Sequence, residues 1–199
     1  MIHDKKVRVN DPADPRFGKQ HLLNYIKQRG FLKNQNEVAG FMGQMAHESN
    51  NLTDAYEGGS IQGQKNKKWK NYTPEKNRWL GNLSYEDAWK YRGRGDVQLT
   101  GRRAYTWFQN KLKNSKLFKE RNIDIINNPN QAADPDVAAL IAETYWTSDY
   151  TGKRKDGSSN LQHAGRAGDI KKQMALIQGH GTLDGSGNVR EKFKGSYKS

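Results

Sequence analysis

The feature that most constrains the fold is the spacing of apolar residues, which recur three and four positions apart in several separate segments. The clearest case spans residues 37–48, behind a predicted N-cap at Asn36, and its spaced residues are Val38, Phe41, Met42 and Met45. Small residues occupy the other side of this predicted helix and allow a second backbone to approach closely. We therefore expect a central helix that is buried on two sides.

The same spacing predicts further helices at 20–29, 105–112, 135–145 and 170–177, and a last stripe at 189–197 indicates a closing helix. Ser84 with Asp87 predicts a short capped helix through Trp89, and Asp134 followed by Pro135 is typical of a helix start. Residues 58–84 follow neither a helical nor a strand period. They contain Trp69 and Trp79, so we expect an ordered loop or small hairpin that forms one wall of a cleft.

These patterns predict a mainly α-helical protein with at most a small β-hairpin or sheet in the middle. The length of 199 residues fits a single domain. We expect an N-terminal extension over residues 1–16, a core over 17–179 and a basic C-terminal segment over 180–199.

The charge of the chain favours an anionic partner. Its 34 Lys and Arg residues against 21 Asp and Glu give a net charge of +13, which attracts nucleic acid, anionic lipid or an acidic wall polymer. No apolar run approaches the roughly 20 residues of a membrane span, and no signal peptide is recognisable at the N-terminus. With no cysteine, thiolate metal sites and cysteine nucleophiles are excluded. We expect no metal, no cofactor and a monomer.

Two carboxylates stand out as candidate catalytic groups. Glu48 falls at the edge of the apolar face of the predicted helix 37–48, where partial burial would raise its pKa as a general acid requires. Glu57 follows nine positions later, directly before two glycines that allow a sharp turn. A pair of carboxylates is the minimum apparatus for hydrolysing a glycosidic bond. Asp54, Glu75 and Asp96 remain rival second carboxylates at this point.

The neighbouring His47 projects with Gly40 and Gly43, so the pattern favours a structural histidine on the closely packed side of the helix. A second polar segment spans residues 91–102, Tyr-Arg-Gly-Arg-Gly-Asp-Val-Gln-Leu-Thr-Gly-Arg. We expect a turn at its glycines followed by a short extended run that places Gln98 and Thr100 on one side, where they suit a sugar or a held water.

These segments resemble glycoside hydrolase family 19, specifically its phage endolysin branch in the lysozyme-like superfamily. Residues 39–49, Ala-Gly-Phe-Met-Gly-Gln-Met-Ala-His-Glu-Ser, resemble the family helix that ends in a catalytic His-Glu-Ser/Thr motif. Residues 91–102 resemble its Gly-Arg-Gly-x-x-Gln-Leu-Ser/Thr-Gly signature, and weaker matches follow at 128–146 and 177–179. The resemblance covers roughly residues 31–179 and implies a lysozyme-like α+β fold.

The resemblance implies that Glu48 is the general acid, that Glu57 is the base, and that Thr100 holds the attacking water, with inversion at the anomeric carbon. It also implies that Gln98 binds the sugar. Further substrate contacts are expected from the following residues: His47, Tyr56, Trp69, Tyr91, Arg94 and Gln178. In the chitinases of the family, Asn residues that contact chitin stand at the positions of Ala104 and Gln178.

The resulting hypothesis is an endolysin that hydrolyses the β-1,4 bonds between N-acetylmuramic acid and N-acetylglucosamine in peptidoglycan. Peptidoglycan strands are polyanionic, which suits the charge of +13 better than neutral chitin does. Such a protein would stay in the host cytoplasm until its release to the wall. The alternatives are a chitinase, a lytic transglycosylase, and a non-catalytic module that binds the cell wall or nucleic acid; we do not expect a nucleic-acid partner.

Overall fold

A computed structural model describes residues 18–57 and 74–178, and these ranges are mainly helical. Their α-helices are α1 (Lys19–Arg29), α2 (Gln35–Glu48), α3 (Pro74–Leu80), α4 (Tyr85–Lys90), α5 (Arg102–Leu112), α6 (Lys116–Glu120), α7 (Pro135–Thr147), α8 (Asn160–Arg166) and α9 (Ile170–Gln178). Short 3₁₀ turns at Pro129–Ala133 and Asp149–Thr151 lie on either side of α7. Between these elements, β pairing in the described ranges consists of two isolated bridges, Tyr56–Arg94 and Lys153–Ser159. The prediction of a mainly helical fold with little sheet is confirmed.

Helix α7 lies at the centre of the fold because it contributes to both large apolar clusters. Val137 and Ile141 pack into a cluster with α5 and α6, whereas Ala142 and Trp146 pack into a cluster with α1, α2 and α8. Its sequence predicts this position, since the stretch from Val137 to Trp146 is mostly apolar around the whole helix. The Asp134 side chain accepts hydrogen bonds from two backbone amides in the first turn of α7, as the predicted cap requires.

Helix α2 is less central than the sequence suggested. Phe41 and Met45 are buried as predicted, and Gly40 lies directly against the Gln173 side chain of α9. On the side of the small residues, however, Gly43 and His47 are exposed, so the helix is not buried on two sides. Its N-cap is Asn34 rather than Asn36, and the Asn34 side chain accepts a hydrogen bond from the backbone of Glu37.

The sequence patterns missed helix α8, which lies between α2, α7 and α9. It contains only one large apolar residue, Leu161, so periodicity gives almost no signal. A capping box between Ser159 and Gln162 was the available signature. None of the helices in the described ranges is both long and apolar enough to cross a membrane.

Candidate active site

The described residues enclose a cleft of about 720 Å³ between the end of α2, the segment 97–104, α3 and the end of α7. Its acidic lining residues are Glu48 and Glu57, and its basic lining residues are Lys76 and Arg103. The other residues that line the cleft are Trp79, Leu80, Val97, Gln98, Leu99, Thr100, Ala104, Tyr145, Tyr150, Thr151, Leu176 and Ile177. None of the rival carboxylates, Asp54, Glu75 or Asp96, lines it.

Glu48 is the last residue of α2, and its side chain is half-buried in the wall of the cleft. Burial raises the pKa of this carboxyl, while the positive charge of nearby His47 opposes the rise. Tyr145 of α7 faces the same carboxyl, since the negative charge of Glu48 contributes to the raised pKa of the Tyr145 hydroxyl. The carboxyl therefore has the surroundings of a group that retains its proton to higher pH than an exposed glutamate does.

A strained turn directly after Glu48 reverses the chain. Asn50, Asn51 and Leu52 have φ angles of 50°, 58° and 62°, in the left-handed region that residues other than glycine rarely adopt. The turn is stabilised by the Ser49 carbonyl, which accepts hydrogen bonds from the backbones of Thr53 and Asp54. Leu52 is buried in the cluster beneath α2 and anchors the turn. This turn brings the chain back past the end of α2 to Glu57.

Glu57 is held against Gly93 by its backbone and by its side chain. The Glu57 amide donates to the Gly93 carbonyl at 2.8 Å, and the Gly93 amide donates to Glu57 Oε2 at 3.0 Å. The neighbouring residues Tyr56 and Arg94 form the antiparallel bridge. These bonds fix the second carboxylate relative to the segment that carries Gln98 and Thr100.

The absence of a side chain at Gly93 lets three polar groups converge. A Cβ atom at this position would lie 2.7 Å from Gln98 Oε1, 3.1 Å from Glu57 Cβ and 3.2 Å from Thr100 Oγ1. The first distance is closer than real Cβ contacts allow, so a larger residue here would displace the Gln98 side chain, which two hydrogen bonds hold in place.

The hydrogen bonds of Gln98 and Thr100 determine what they can offer to a ligand. The Gln98 amide nitrogen donates to the carbonyls of Asp54 and Gly95 at 2.9 and 3.1 Å, which leaves its Oε1 as an acceptor. The Thr100 hydroxyl donates to the Gln98 carbonyl at 2.6 Å, so its lone pairs can accept from a water. Gln98 has a φ of 48°, and residues 95–98 form a turn, so the predicted extended run is wrong at this point.

Arg92 supplies positive charge near Glu57. Burial lowers the pKa of the Arg92 guanidinium to about 10, and the negative charge of Glu57 opposes this shift. The guanidinium lies 4.1 Å from the centre of the Trp89 ring and donates to the Trp89 carbonyl at 3.1 Å. The guanidinium of Arg92 and the carboxylate of Glu57 therefore attract each other at the edge of the site.

Two of the predicted substrate contacts, Tyr91 and Arg94, are buried and do not line the described cleft. The Arg94 guanidinium donates to Asn130, to the Tyr105 hydroxyl and to two backbone carbonyls. The Tyr91 hydroxyl donates to the Ile126 carbonyl at 3.2 Å. Both side chains therefore stabilise the turn that carries the site.

The remaining predicted contacts have different positions. His47 is exposed beside Glu48 and outside the cleft lining, so its expected packing into the closely packed side is also wrong. Tyr56 is half-buried, and its ring lies 5.8 Å from the guanidinium of Arg92 and 5.8 Å from that of Arg94. Trp69 and the Gln178 side chain lie outside the described residues.

The structure adds cleft residues that the sequence did not indicate. Tyr145, Tyr150 and Thr151 lie at and just beyond the end of α7, far in sequence from the catalytic candidates. Arg103 and Lys76 come from the starts of α5 and α3. Trp79 lines the cleft, but it lies in helix α3 rather than in the loop or hairpin expected over 58–84, and residues 58–73 of that segment lie outside the described residues. Over the described ranges, no group of three or more His, Asp or Glu residues is placed to hold a metal ion.

Helices around a cleft with two carboxylates define the class: the chain has the lysozyme-like, mainly helical fold of family 19 chitinases. Chitinase C from Streptomyces griseus HUT6037 matches at 18% identity with a TM-score of 0.55, over 90% of this chain and 79% of that one. A second bacterial family 19 chitinase matches at 19% identity with a TM-score of 0.53, over 90% of this chain and 81% of that one. No protein-family model matches the sequence. No curated protein matches it either.

Proposed function

We propose that this protein is a glycoside hydrolase that cleaves the β-1,4 glycan of peptidoglycan by general acid and base catalysis. The observation that carries the proposal is the presence of Glu48 and Glu57 in one cleft, with Gln98 and Thr100 gathered around Gly93 beside Glu57. The two carboxyls have different surroundings, since burial raises the pKa of Glu48 whereas Arg92 lies near Glu57. Different surroundings are what an acid and base pair requires.

In the proposed reaction, the protonated Glu48 donates its proton to the glycosidic oxygen as the bond from this oxygen to the anomeric carbon breaks. A water attacks the anomeric carbon and gives its proton to Glu57. Thr100 can accept the other hydrogen of this water because its own hydroxyl proton is donated to the Gln98 carbonyl. With both hydrogens directed to protein acceptors, the lone pair of the water points at the sugar, and the anomeric configuration is inverted.

Peptidoglycan is preferred to chitin because of the charges that line the cleft. Among the described residues, Lys76 and Arg103 are the charged groups that line the cleft besides the two candidate catalytic carboxyls, and the whole chain carries a net charge of +13. A polyanionic glycan is attracted by such a cleft, whereas neutral chitin gains nothing from it. Ala104 presents only a methyl group to the cleft, at the position where the resemblance gives chitinases an Asn. Chitin remains the second candidate substrate because the similar solved structures are chitinases.

The test is the clearing of purified Gram-negative peptidoglycan by the wild type, Glu48→Gln and Glu57→Gln, with mass spectrometry of the released fragments. We expect clearing by the wild type alone and fragments with ordinary reducing ends. Anhydro ends together with an active Glu57→Gln variant would indicate a lytic transglycosylase instead. Cleavage of chitin oligomers without cleavage of peptidoglycan would indicate a chitinase.

A further inference from the structure

We propose that Arg103, Tyr150 and Thr151 form a subsite that binds a carboxylate substituent of the glycan strand. This inference rests on the proposed function and deepens it, because a carboxylate on the lactyl group distinguishes the muramic acid unit from N-acetylglucosamine.

Arg103 is a cation that lines the cleft and has no acidic partner among the described residues. It lies in the first turn of α5 and is exposed, and its guanidinium donates weakly to the Arg78 carbonyl at 3.5 Å. Over residues 18–57 and 74–178, no ion pair joins it to a carboxylate, although Arg102 beside it pairs with Asp87 at 2.5 Å. A guanidinium in a cleft is suited to bidentate binding of a carboxylate.

Tyr150 lies in the 3₁₀ turn after α7 and faces the Arg103 guanidinium in the cleft. The positive charge of Arg103 opposes the rise that burial causes in the pKa of the Tyr150 hydroxyl. The ring is held by three aromatic neighbours, with centroid distances of 4.8 Å to Trp107, 5.2 Å to Phe108 and 5.3 Å to Tyr145. A hydroxyl fixed in this way beside a cation can donate to an anionic oxygen without further ordering.

Thr151 provides the second, independent sign of a ligand. The residue lines the cleft and is only 5% exposed, yet its hydroxyl oxygen has no hydrogen-bond partner among the described residues. Its backbone carbonyl is satisfied by the Asn160 side chain at 3.0 Å. A buried hydroxyl without a partner is unfavourable, and a polar group of the substrate would supply that partner.

The start of α5 adds to the positive potential in the same place. Gly101 offers no side-chain cap, and the first turn of this 11-residue helix holds no acidic residue. The partial positive charge of the helix N-terminus is therefore not offset by an acid within its own first turn. Thr100, Arg103 and Ala104, on both sides of this helix start, all line the cleft.

The test uses three oligosaccharides of equal length. The first alternates N-acetylglucosamine and N-acetylmuramic acid with free lactyl carboxylates. The second is the same glycan with these carboxylates converted to neutral methylamides, and the third is an N-acetylglucosamine oligomer. The values of kcat and KM are measured for the wild type, Arg103→Gln, Arg103→Lys and Thr151→Val. Lys113→Gln is the matched control, because it removes one exposed positive charge from the C-cap residue of the same helix.

For the wild type we expect a KM about tenfold lower for the carboxylate glycan than for its methylamide, the size of a charge-assisted hydrogen bond. Arg103→Gln should reduce this ratio to less than about threefold, with Arg103→Lys in between and Lys113→Gln unchanged. Thr151→Val should reduce the ratio without loss of thermal stability. Equal KM values for the carboxylate and methylamide glycans in the wild type would overturn the subsite and leave the proposed function intact. Failure of the wild type to cleave either muramic acid glycan would overturn the proposed function itself.

Discussion

Glu57 and Gly93 are joined by two hydrogen bonds, one from the Glu57 amide to the Gly93 carbonyl at 2.8 Å and one from the Gly93 amide to Glu57 Oε2 at 3.0 Å. The second bond is accepted by Oε2 and fixes the orientation of the carboxyl. The proposed base is thereby aligned by the backbone of the segment that also holds Gln98 and Thr100. Gly93, which has no side chain and cannot take part in the reaction itself, therefore lies at the centre of the site.

Gly93→Ala should therefore impair catalysis strongly. Its methyl group would meet Gln98 Oε1 at 2.7 Å and displace the three groups around it, and we expect activity to fall by about 100-fold with a loss of about 1–3 kcal/mol in the free energy of unfolding. Turnover of peptidoglycan and urea denaturation measure the two effects.

Gly43→Ala is the control for this substitution. A Cβ at Gly43 meets nothing within 4 Å, and the residue is exposed within α2. Alanine should raise the free energy of unfolding by about 0.5–1 kcal/mol through helix propensity and leave turnover unchanged. Equal effects of the two substitutions on turnover would refute the role of Gly93.

Glu48→Gln should abolish cleavage and leave the protein at least as stable at pH 7. Because burial raises the pKa of Glu48, the folded state binds more protons than the unfolded state between the ordinary and the raised pKa, so stability falls as pH rises through that interval. Glutamine removes this loss and should therefore raise the free energy of unfolding at pH 7. In the wild type, the same raised pKa should place the alkaline limb of the activity profile above the ordinary pKa of glutamate.

Asp96→Asn tests a second buried carboxyl, one outside the cleft lining. Burial raises the pKa of Asp96 to about 7. Between about pH 4 and pH 7, the folded protein therefore keeps a proton on Asp96 that the unfolded chain has already released. The wild type should lose up to about 4 kcal/mol of unfolding free energy from this group between pH 4 and pH 7. Denaturation of both proteins at pH 4.5 and 7.5 measures the difference. A pH dependence that is identical in the two proteins would contradict the assignment.

Arg94→Lys should reduce stability rather than substrate affinity. The buried guanidinium satisfies Asn130, Tyr105 and two carbonyls, and an ammonium group cannot reach all of these acceptors. We expect a loss of about 2–4 kcal/mol in the free energy of unfolding, with the KM of the remaining folded enzyme unchanged. An increase in KM at full stability would restore the substrate contact that the sequence suggested.

Much of the fold follows from local sequence. The caps at Ser84 and Asp134, the αL glycine at Gly30 after α1, and the apolar spacing of α5 all lie where the patterns indicated. These features depend on neighbours within a few positions, so the sequence expresses them directly. The same reasoning, with the family resemblance, brought Glu48, Glu57, Gln98 and Thr100 together as candidates, and the structure places all four in one cleft.

Tertiary structure determined which polar side chains are buried and which line the cleft. Arg94 and Arg103 are both cations of the same stretch of chain, yet one is buried under four acceptors and the other lines the cleft without an acidic partner within the described ranges. Thr151 enters the site only because α7 crosses the core and ends at the cleft. Burial and contact are properties of residues distant in sequence, and for this reason the sequence determined the helices and the candidate carboxylates, whereas packing determined which polar side chains face the cleft.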